Sequence, residues 1–192
     1  MCMQRKGVGP VLRWAGGKRR LVHRLAELLP AGWQNYVEPM AGSAAMFFYL
    51  APRKAVLADI NPDLINFFRV LRDETSELVE RLNSLSASKD LYYEMRDNVP
   101  TSGFERAVRF AYLNRLCWNG VHRVNREGEF NVPIGDRLPR RLWNPDHLYR
   151  AASQLRCARL LRADFEETLP KLKKGDFSFV DPPYPRGAAK GL

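Results

Sequence analysis

Short apolar runs bounded by turn residues alternate along this chain with longer stretches whose apolar positions recur at helical spacing. The first such stretch, over 21–29, follows a glycine-rich turn and predicts a short amphipathic helix. A brief strand is predicted over 35–38, a turn at Pro39-Met40-Ala41-Gly42-Ser43, and a helix over 44–50 that Pro52 closes. A second strand over 54–58 ends at Asp59. Asn61-Pro62 suits an N-cap with proline in the first turn, opening a helix over 63–72. Helices over 75–85, 88–97 and 104–118 follow, and then a Gly-, Asn- and Pro-rich loop and hairpin over 119–139. A helix over 145–157 leads into a strand over 159–162 that runs on to Asp164, and the last strand covers 176–180.

Strands alternating with helices predict an α/β fold, a parallel sheet with helices on both faces. The helical and loop-rich middle, 73–144, is expected to be an insert in a sheet domain made of 1–72 and 145–192. The 192 residues can bury the core of one domain, and 45% hydrophobic with 27% charged residues is ordinary for a soluble protein. A net charge of +10 and a pI near 9.8 are not ordinary, and point to a polyanionic partner. No apolar run approaches the roughly 18 residues that span a bilayer. Arg5 and Lys6 precede no apolar signal region, so a cytoplasmic protein is expected. Cys2, Cys117 and Cys157, and likewise His23, His122 and His147, form no ligand spacing; reduced thiols and no metal are expected.

The richest chemistry lies at Asp181-Pro182-Pro183-Tyr184, directly after the apolar run 177–180. One reading is a strand that ends in a Pro-Pro turn. The other is a corner for a flat, weakly nucleophilic amine such as that of adenine. There the Asp181 carboxylate and a prolyl carbonyl each accept one N–H, and Tyr184 stacks on the base. The turn 39–43 lies between strand and helix, where doubly wound folds bind nucleotide-like ligands, and Gly42 lets the backbone approach one closely. Asp59, at the end of the next strand, either accepts from ribose hydroxyls or caps the following helix. Trp14-Ala15-Gly16-Gly17-Lys18 fails the phosphate-loop pattern, because Leu12 replaces its first glycine and Arg19 its Ser/Thr. Trp14 and Lys18 remain either a basic turn beside a core tryptophan or a contact for an amino-acid carboxylate.

Residues 104–163 hold 12 arginines, no lysine and 5 acidic residues, and so carry most of the net charge. Arginine alone favours bidentate contact with phosphates and guanine edges. Trp118, Asn119, His122, Asn125, Phe130 and Asn131 are interleaved, the aromatic and amide company that extruding a base requires. Arg106, Arg109 and Arg115 could instead be the solvated or ion-paired face of a helix, whereas Arg123 and Arg126 stand in the hairpin and are the better candidates for DNA.

Trp14 to Lys18, Val37-Glu38-Pro39-Met40-Ala41-Gly42-Ser43, Ala58-Asp59-Ile60-Asn61 and Asp181 to Tyr184 occur in this order. Between them fall Leu113-Asn114-Arg115, Asn119-Gly120 and Gly128-Glu129-Phe130-Asn131-Val132-Pro133. Together these segments resemble the Dam-type (D12 class) adenine-specific DNA methyltransferases over nearly the whole chain. The resemblance implies a Rossmann-like, S-adenosylmethionine-dependent sheet and methyl transfer to the exocyclic amine of a flipped adenine in duplex DNA. It implies that Trp14, Lys18, Glu38, Gly42, Asp59, Asp164 and Asp181 bind the cofactor, Asp59 through the ribose and Asp164 through the adenine amine. It places catalysis at Asp181, Pro182, Pro183 and Tyr184. Arg115, Trp118, Asn119, Arg123, Asn125 and Arg126 would contact DNA, in a hairpin like those of enzymes that read GATC. Ala44 and Met40 depart from the family's expected glycine and aromatic residue. The family continues well past the position of Leu192, so a truncated product is expected, with an open sheet edge and self-association or a further segment to complete it. The alternative function is a DNA- and cofactor-binding fragment without turnover.

Overall fold

The computed structural model describes residues 7–182. Four strands, β1 (Asn35–Glu38), β2 (Ala55–Asp59), β3 (Ala158–Arg162) and β4 (Asp176–Ser178), form one parallel sheet in the order β3-β2-β1-β4. Tyr36 stands beside Ala55 on one flank and Phe177 on the other. The chain steps from β1 to β2 to β3 in one direction, then returns past both to lay β4 against β1. Right-handed crossovers make that reversal send the connections to opposite faces of the sheet. This is the parallel α/β sheet that the alternation predicts, of the Rossmann-like class that the resemblance implies.

Eight helices complete the described fold: α1 (Val22–Ala26), α2 (Ala45–Leu50), α3 (Pro62–Asp73), α4 (Thr75–Asn83), α5 (Lys89–Asp97), α6 (Gly103–Leu116), α7 (Pro145–Leu155) and α8 (Phe165–Thr168). Side-chain caps start most of the long ones. Asn61 accepts from Asp63 N and Leu64 N, Ser88 from Leu91 N, Ser102 from Glu105 N and Asn144 from Asp146 N. The short α8, absent from the sequence-based expectation, is opened by a capping box of Asp164 and Glu167. Helix α6 ends two residues before the expected position. Cys117 turns extended there to bridge Ile134, and Trp118 N donates to Pro133 O at 2.9 Å. Strand β4 is shorter than expected, although one further ladder bond joins Phe179 N to Val37 O at 2.8 Å.

One hydrophobic cluster runs through the molecule. Tyr36, Phe47, Phe48, Phe67 and Phe68 are fully buried in it, and so are Leu78, Leu82, Tyr92, Val108 and Tyr112 from the middle segment. Helix α6 packs on α3, and α4 on α7, so residues 73–144 share the core of the sheet. Each large apolar side chain buried there stabilises the fold by roughly 1.5–3 kcal/mol. At edge strand β3, Arg72 and Arg69 donate to the carbonyls of Ala158 and Leu160, both at 3.1 Å, which covers backbone acceptors that another strand could otherwise use.

Candidate active site and nucleic-acid interface

A cavity of about 510 Å³ opens beyond the carboxyl ends of β1, β2 and β4, where the winding reverses. Open α/β sheets bind ligands at such a crevice, and cofactor sites measure roughly 300–1,000 Å³. Trp14, Lys18, Glu38, Gly42, Asp59, Asp164 and Asp181 all line it, so residues up to 167 positions apart in the chain meet there. Pro182 stands at its rim, exposed. Pro183 and Tyr184 lie outside the described residues.

Glu38 closes β1 and is 2% exposed. Its Oε1 accepts from the Tyr36 hydroxyl in a short hydrogen bond and from Phe47 N at 3.1 Å, while the buried Oε2 has no partner among the described residues. Burial raises its pKa to about 8; the Tyr36 and Phe47 bonds oppose that rise, and the charge of Asp181 adds to it. Near neutrality Glu38 is therefore largely protonated. Oε1 already accepts twice, which leaves Oε2 as the oxygen available to carry the proton. Burial and the Glu38 carboxyl likewise push the Tyr36 hydroxyl far up.

Asp59 does not cap α3, because Asn61 does. Its Oδ2 instead accepts from Gly42 N and its Oδ1 from Asn61 N, both at 2.9 Å, which ties the end of β2 to the loop after β1. Each oxygen keeps a second lone pair for a ligand hydroxyl. Gly42 has φ +48°, and a Cβ there would lie 2.7 Å from Trp14 Cδ1, so the glycine admits the indole against the loop. Lys18 Nζ donates to both oxygens of Asp181 at 2.6 Å and to Gly16 O at 2.9 Å, drawing the N-terminal loop to the end of β4. Asp164 lines the cavity while its Oδ1 accepts from Glu166 N at 3.0 Å. Sequence reasoning missed the apolar walls. Ile60 and Phe165, each adjacent to a carboxylate on the cavity, are exposed, and Phe179 joins them at the lining. A large apolar residue beside a strand-end acid was the available signal.

The hairpin follows α6. Trp118 and Asn119 occupy a 3₁₀ turn (Trp118–Gly120), both are exposed, and Asn119 adopts φ 53°. Arg123 Nε donates to Asn131 Oδ1 at 2.9 Å, and Arg123 and Arg126 are exposed. Asn125 is used within the turn, since Oδ1 accepts from Glu129 N at 2.8 Å and Nδ2 donates to Glu129 Oε2 at 3.0 Å. Arg115 is half-buried with its guanidinium 5.7 Å from the Trp143 ring centre, and its pKa is lowered by burial and by Arg13 and Arg19. Arg106 pairs with Asp63 at 2.7 Å. Arg109 donates to Met95 O at 2.5 Å and to Arg96 O at 2.7 Å, at the end of α5. Those two arginines hold structure, Arg106 through an ion pair on the helix face and Arg109 through backbone carbonyls.

The model of the D12 class N6 adenine-specific DNA methyltransferases matches residues 14–190. The chain belongs to that class. Relatives of the D12 class chain include a type II methyltransferase of Lactococcus lactis subsp. cremoris, 34% identical over 91% of this chain and 65% of the relative. A second type II methyltransferase, of Methanocaldococcus jannaschii, is 32% identical over 92% of this chain and 69% of its own length. A DNA adenine methylase of Serratia marcescens is 37% identical over 90% and 66%. This D12 class chain thus spans about two thirds of the length of the curated relatives it matches. Among its described residues no helix is long and apolar enough to cross a membrane, and no cluster of His, Cys, Asp and Glu could hold a metal ion.

Proposed function

We propose that the chain carries the cofactor and target-base sites of a DNA adenine methyltransferase, acting on an adenine flipped from duplex DNA with S-adenosylmethionine as donor. The observation that carries this reading is the convergence of Asp181, Lys18 and Glu38 on one cavity at the winding reversal, under an indole and a glycine loop. The residues fit the cofactor. Glu38 Oε2 is an unmet buried polar atom, Asp59 retains lone pairs for ribose hydroxyls, and Ile60 and Phe165 offer apolar faces for an adenine ring. Asp164 lines the same cavity beside Phe165 and would accept from the ring's amine. Bound there, S-adenosylmethionine supplies a methyl group on a sulfonium that leaves as a neutral thioether.

The chain's own task is alignment and polarisation, and holding the reacting groups in register can supply most of the acceleration. Asp181 accepts one N–H of the target amine and the Pro182 carbonyl accepts the other, which directs the nitrogen lone pair at the methyl carbon. The nitrogen gains a bond before it loses a proton, so Asp181 need not be a strong base. Lys18 fixes the carboxylate rotamer while leaving lone pairs on both oxygens. Trp118, Asn119, Arg123 and Arg126 present an exposed aromatic, an amide and two cations to DNA, the set that unstacking and reading a base requires.

The test is transfer of labelled methyl from S-adenosylmethionine into unmethylated duplex DNA, followed by nucleoside analysis. Label in N6-methyladenine is expected, with Asp181→Ala lowering turnover by about 10³-fold or more while cofactor still binds; near-wild-type turnover in that variant would refute the assignment. The second reading, a module that binds cofactor and DNA without turnover, is favoured by the Lys18 ammonium, which competes with the target amine for the Asp181 oxygens. Binding of both ligands with no label transferred would select it.

A further inference from the structure

Trp14 is packed between two parts of the molecule that bear different ligands in the function proposed above. On one side its indole lies against Gly42, where no side chain is admitted. On the other it stacks on the His122 imidazole, with ring centres 5.5 Å apart and planes 15° from parallel. His122 continues the column into the hairpin, 5.6 Å from the ring of Phe130 and 5.4 Å from that of Phe110 on α6. It immediately precedes Arg123, the exposed candidate for DNA contact.

A polar contact fixes the ring. Asn61 uses Oδ1 to cap α3, so its Nδ2 is the group that meets His122 Nδ1, at 3.4 Å, which leaves the ring proton on Nε2. Burial holds the imidazole below its ordinary pKa and Arg109 adds to this, against the opposing charges of Asp63 and Asp59; the stacked ring is neutral near pH 7. Asn61 N is in turn bound to Asp59 on the cavity wall. His122 therefore touches the cavity through two routes, Trp14 and Asn61–Asp59, and the hairpin through the chain itself and Phe130.

We infer that His122 is a positioning residue that couples the hairpin to the cofactor cavity, so that duplex DNA on the hairpin and S-adenosylmethionine in the cavity each change the other's affinity through the Gly42–Trp14–His122–Phe130 column. The inference rests on the proposed function, which supplies the two ligands. A hairpin displaced by DNA cannot move His122 without moving or unstacking Trp14, and an indole pressed by a bound cofactor cannot shift without meeting the imidazole. Thermodynamic linkage makes the effect reciprocal.

The experiment measures S-adenosylmethionine affinity by calorimetry for the full chain alone and saturated with an unmethylated GATC duplex, and duplex affinity alone by anisotropy. Wild type is expected to show a ratio of about 5-fold or more between the two cofactor affinities, within the usual span of such couplings. His122→Leu, which fills the volume without a flat face, is expected to bring the ratio to within about twofold of one while each separate affinity stays within about threefold of wild type. His122→Phe, which restores a planar ring against Trp14, is expected to recover it. A wild-type ratio in His122→Leu, or a ratio of one in wild type that binds both ligands, overturns the coupling alone. Wild type that binds neither ligand overturns the reading of the site, and the coupling with it.

Discussion

At the carboxyl ends of β1 and β2, the polar groups on the cavity are buried or held by backbone donors. Glu38 is bound by Tyr36 and Phe47, and Asp59 by Gly42 and Asn61. In the hairpin some 60 residues later, Arg123 and Arg126 are exposed, and Arg123 Nε donates to Asn131 across the hairpin. One region is preorganised by the fold. The other is exposed, and in the proposed function DNA supplies its complementary groups. The difference teaches where each kind of substitution should register: in folding stability for the cavity, in binding for the hairpin.

The largest effect expected from that contrast is at Glu38. The folded state retains a proton on this carboxyl up to about pH 8, whereas an ordinary glutamate carboxyl releases it near 4.5. The unfolded chain thus binds fewer protons in that window, and stability falls as pH rises from about 4.5 to about 8. Glu38→Gln, which cannot ionise, should flatten this decline and be more stable than wild type at pH 8 by on the order of a few kcal/mol. Urea midpoints across pH 5 to 8.5 check it, and parallel profiles for the two proteins would break the account of a buried, proton-bearing carboxyl.

Asn114 lies on the seam between the regions. Its amide accepts from Arg13 N at 2.9 Å and donates to Arg13 O at 2.7 Å, so α6 grips the backbone next to Trp14. Asn114→Ala should cost about 1–3 kcal/mol by leaving those groups unpaired. It should also weaken cofactor binding, which a denaturant titration and calorimetry on the same sample would read. Loss of stability without loss of cofactor affinity would separate Trp14 from the site. Arg123→Ala should leave the melting midpoint almost unmoved and weaken binding to a cognate duplex by roughly 1–3 kcal/mol if the side chain reads a base edge. Comparing cognate with scrambled duplexes sharpens this, since equal losses on both would mark a phosphate contact instead.

The smallest effect is expected at Ala44, where the family pattern has glycine. Ala44 is buried and left-handed, with φ 51° and ψ 37°. That conformation costs a non-glycine residue roughly 1–2 kcal/mol, while glycine would forfeit a buried methyl worth about 0.8 kcal/mol and lose more chain entropy on folding. The terms nearly cancel, so Ala44→Gly should shift stability by less than about 1 kcal/mol. A larger change would show that the strained loop is held by something other than its own packing.

Much of this was legible in the chain. Strand ends announced themselves because Glu38, Asp59 and Asp181 each follow a short apolar run, and Asn61-Pro62 named its own helix start. Five of the seven cavity residues fell together because a parallel sheet sends its strand ends and the turns after them to one side, whereas Trp14 and Lys18 arrive from the N-terminal loop. What was not legible is what depends on distant partners. Tyr36, two positions earlier on the same face of β1, was a readable partner for Glu38, but nothing local shows that Phe47 N bonds it or that the cavity leaves Oε2 unmet. Nothing in 121–124 shows that His122 lies on Trp14, since a stack between residues 108 positions apart has no period. Helix α8 was readable and overlooked: Asp164 followed three residues later by Glu167 is the capping-box spacing. The arginine count overstated the interface, because Arg106 and Arg109 were already committed to Asp63 and to the end of α5.

The place of β4 beside β1 has a consequence for how the protein is made. Asn35 and Asp176, which pair side by side and share a 2.7 Å side-chain bond, are 141 positions apart in the chain. At synthesis rates of about 5–20 residues per second, β1 leaves the ribosome roughly seven to thirty seconds ahead of its neighbour. In that interval β1, β2 and β3 can already assemble, leaving β1 with a bare flank that a second nascent chain could occupy. The nascent cavity lacks the wall that carries Asp181, and the Lys18 loop lacks its carboxylate anchor. Helpers that shield an unfinished sheet should therefore matter most for this protein late in translation, after the hairpin has emerged and before residue 176 has.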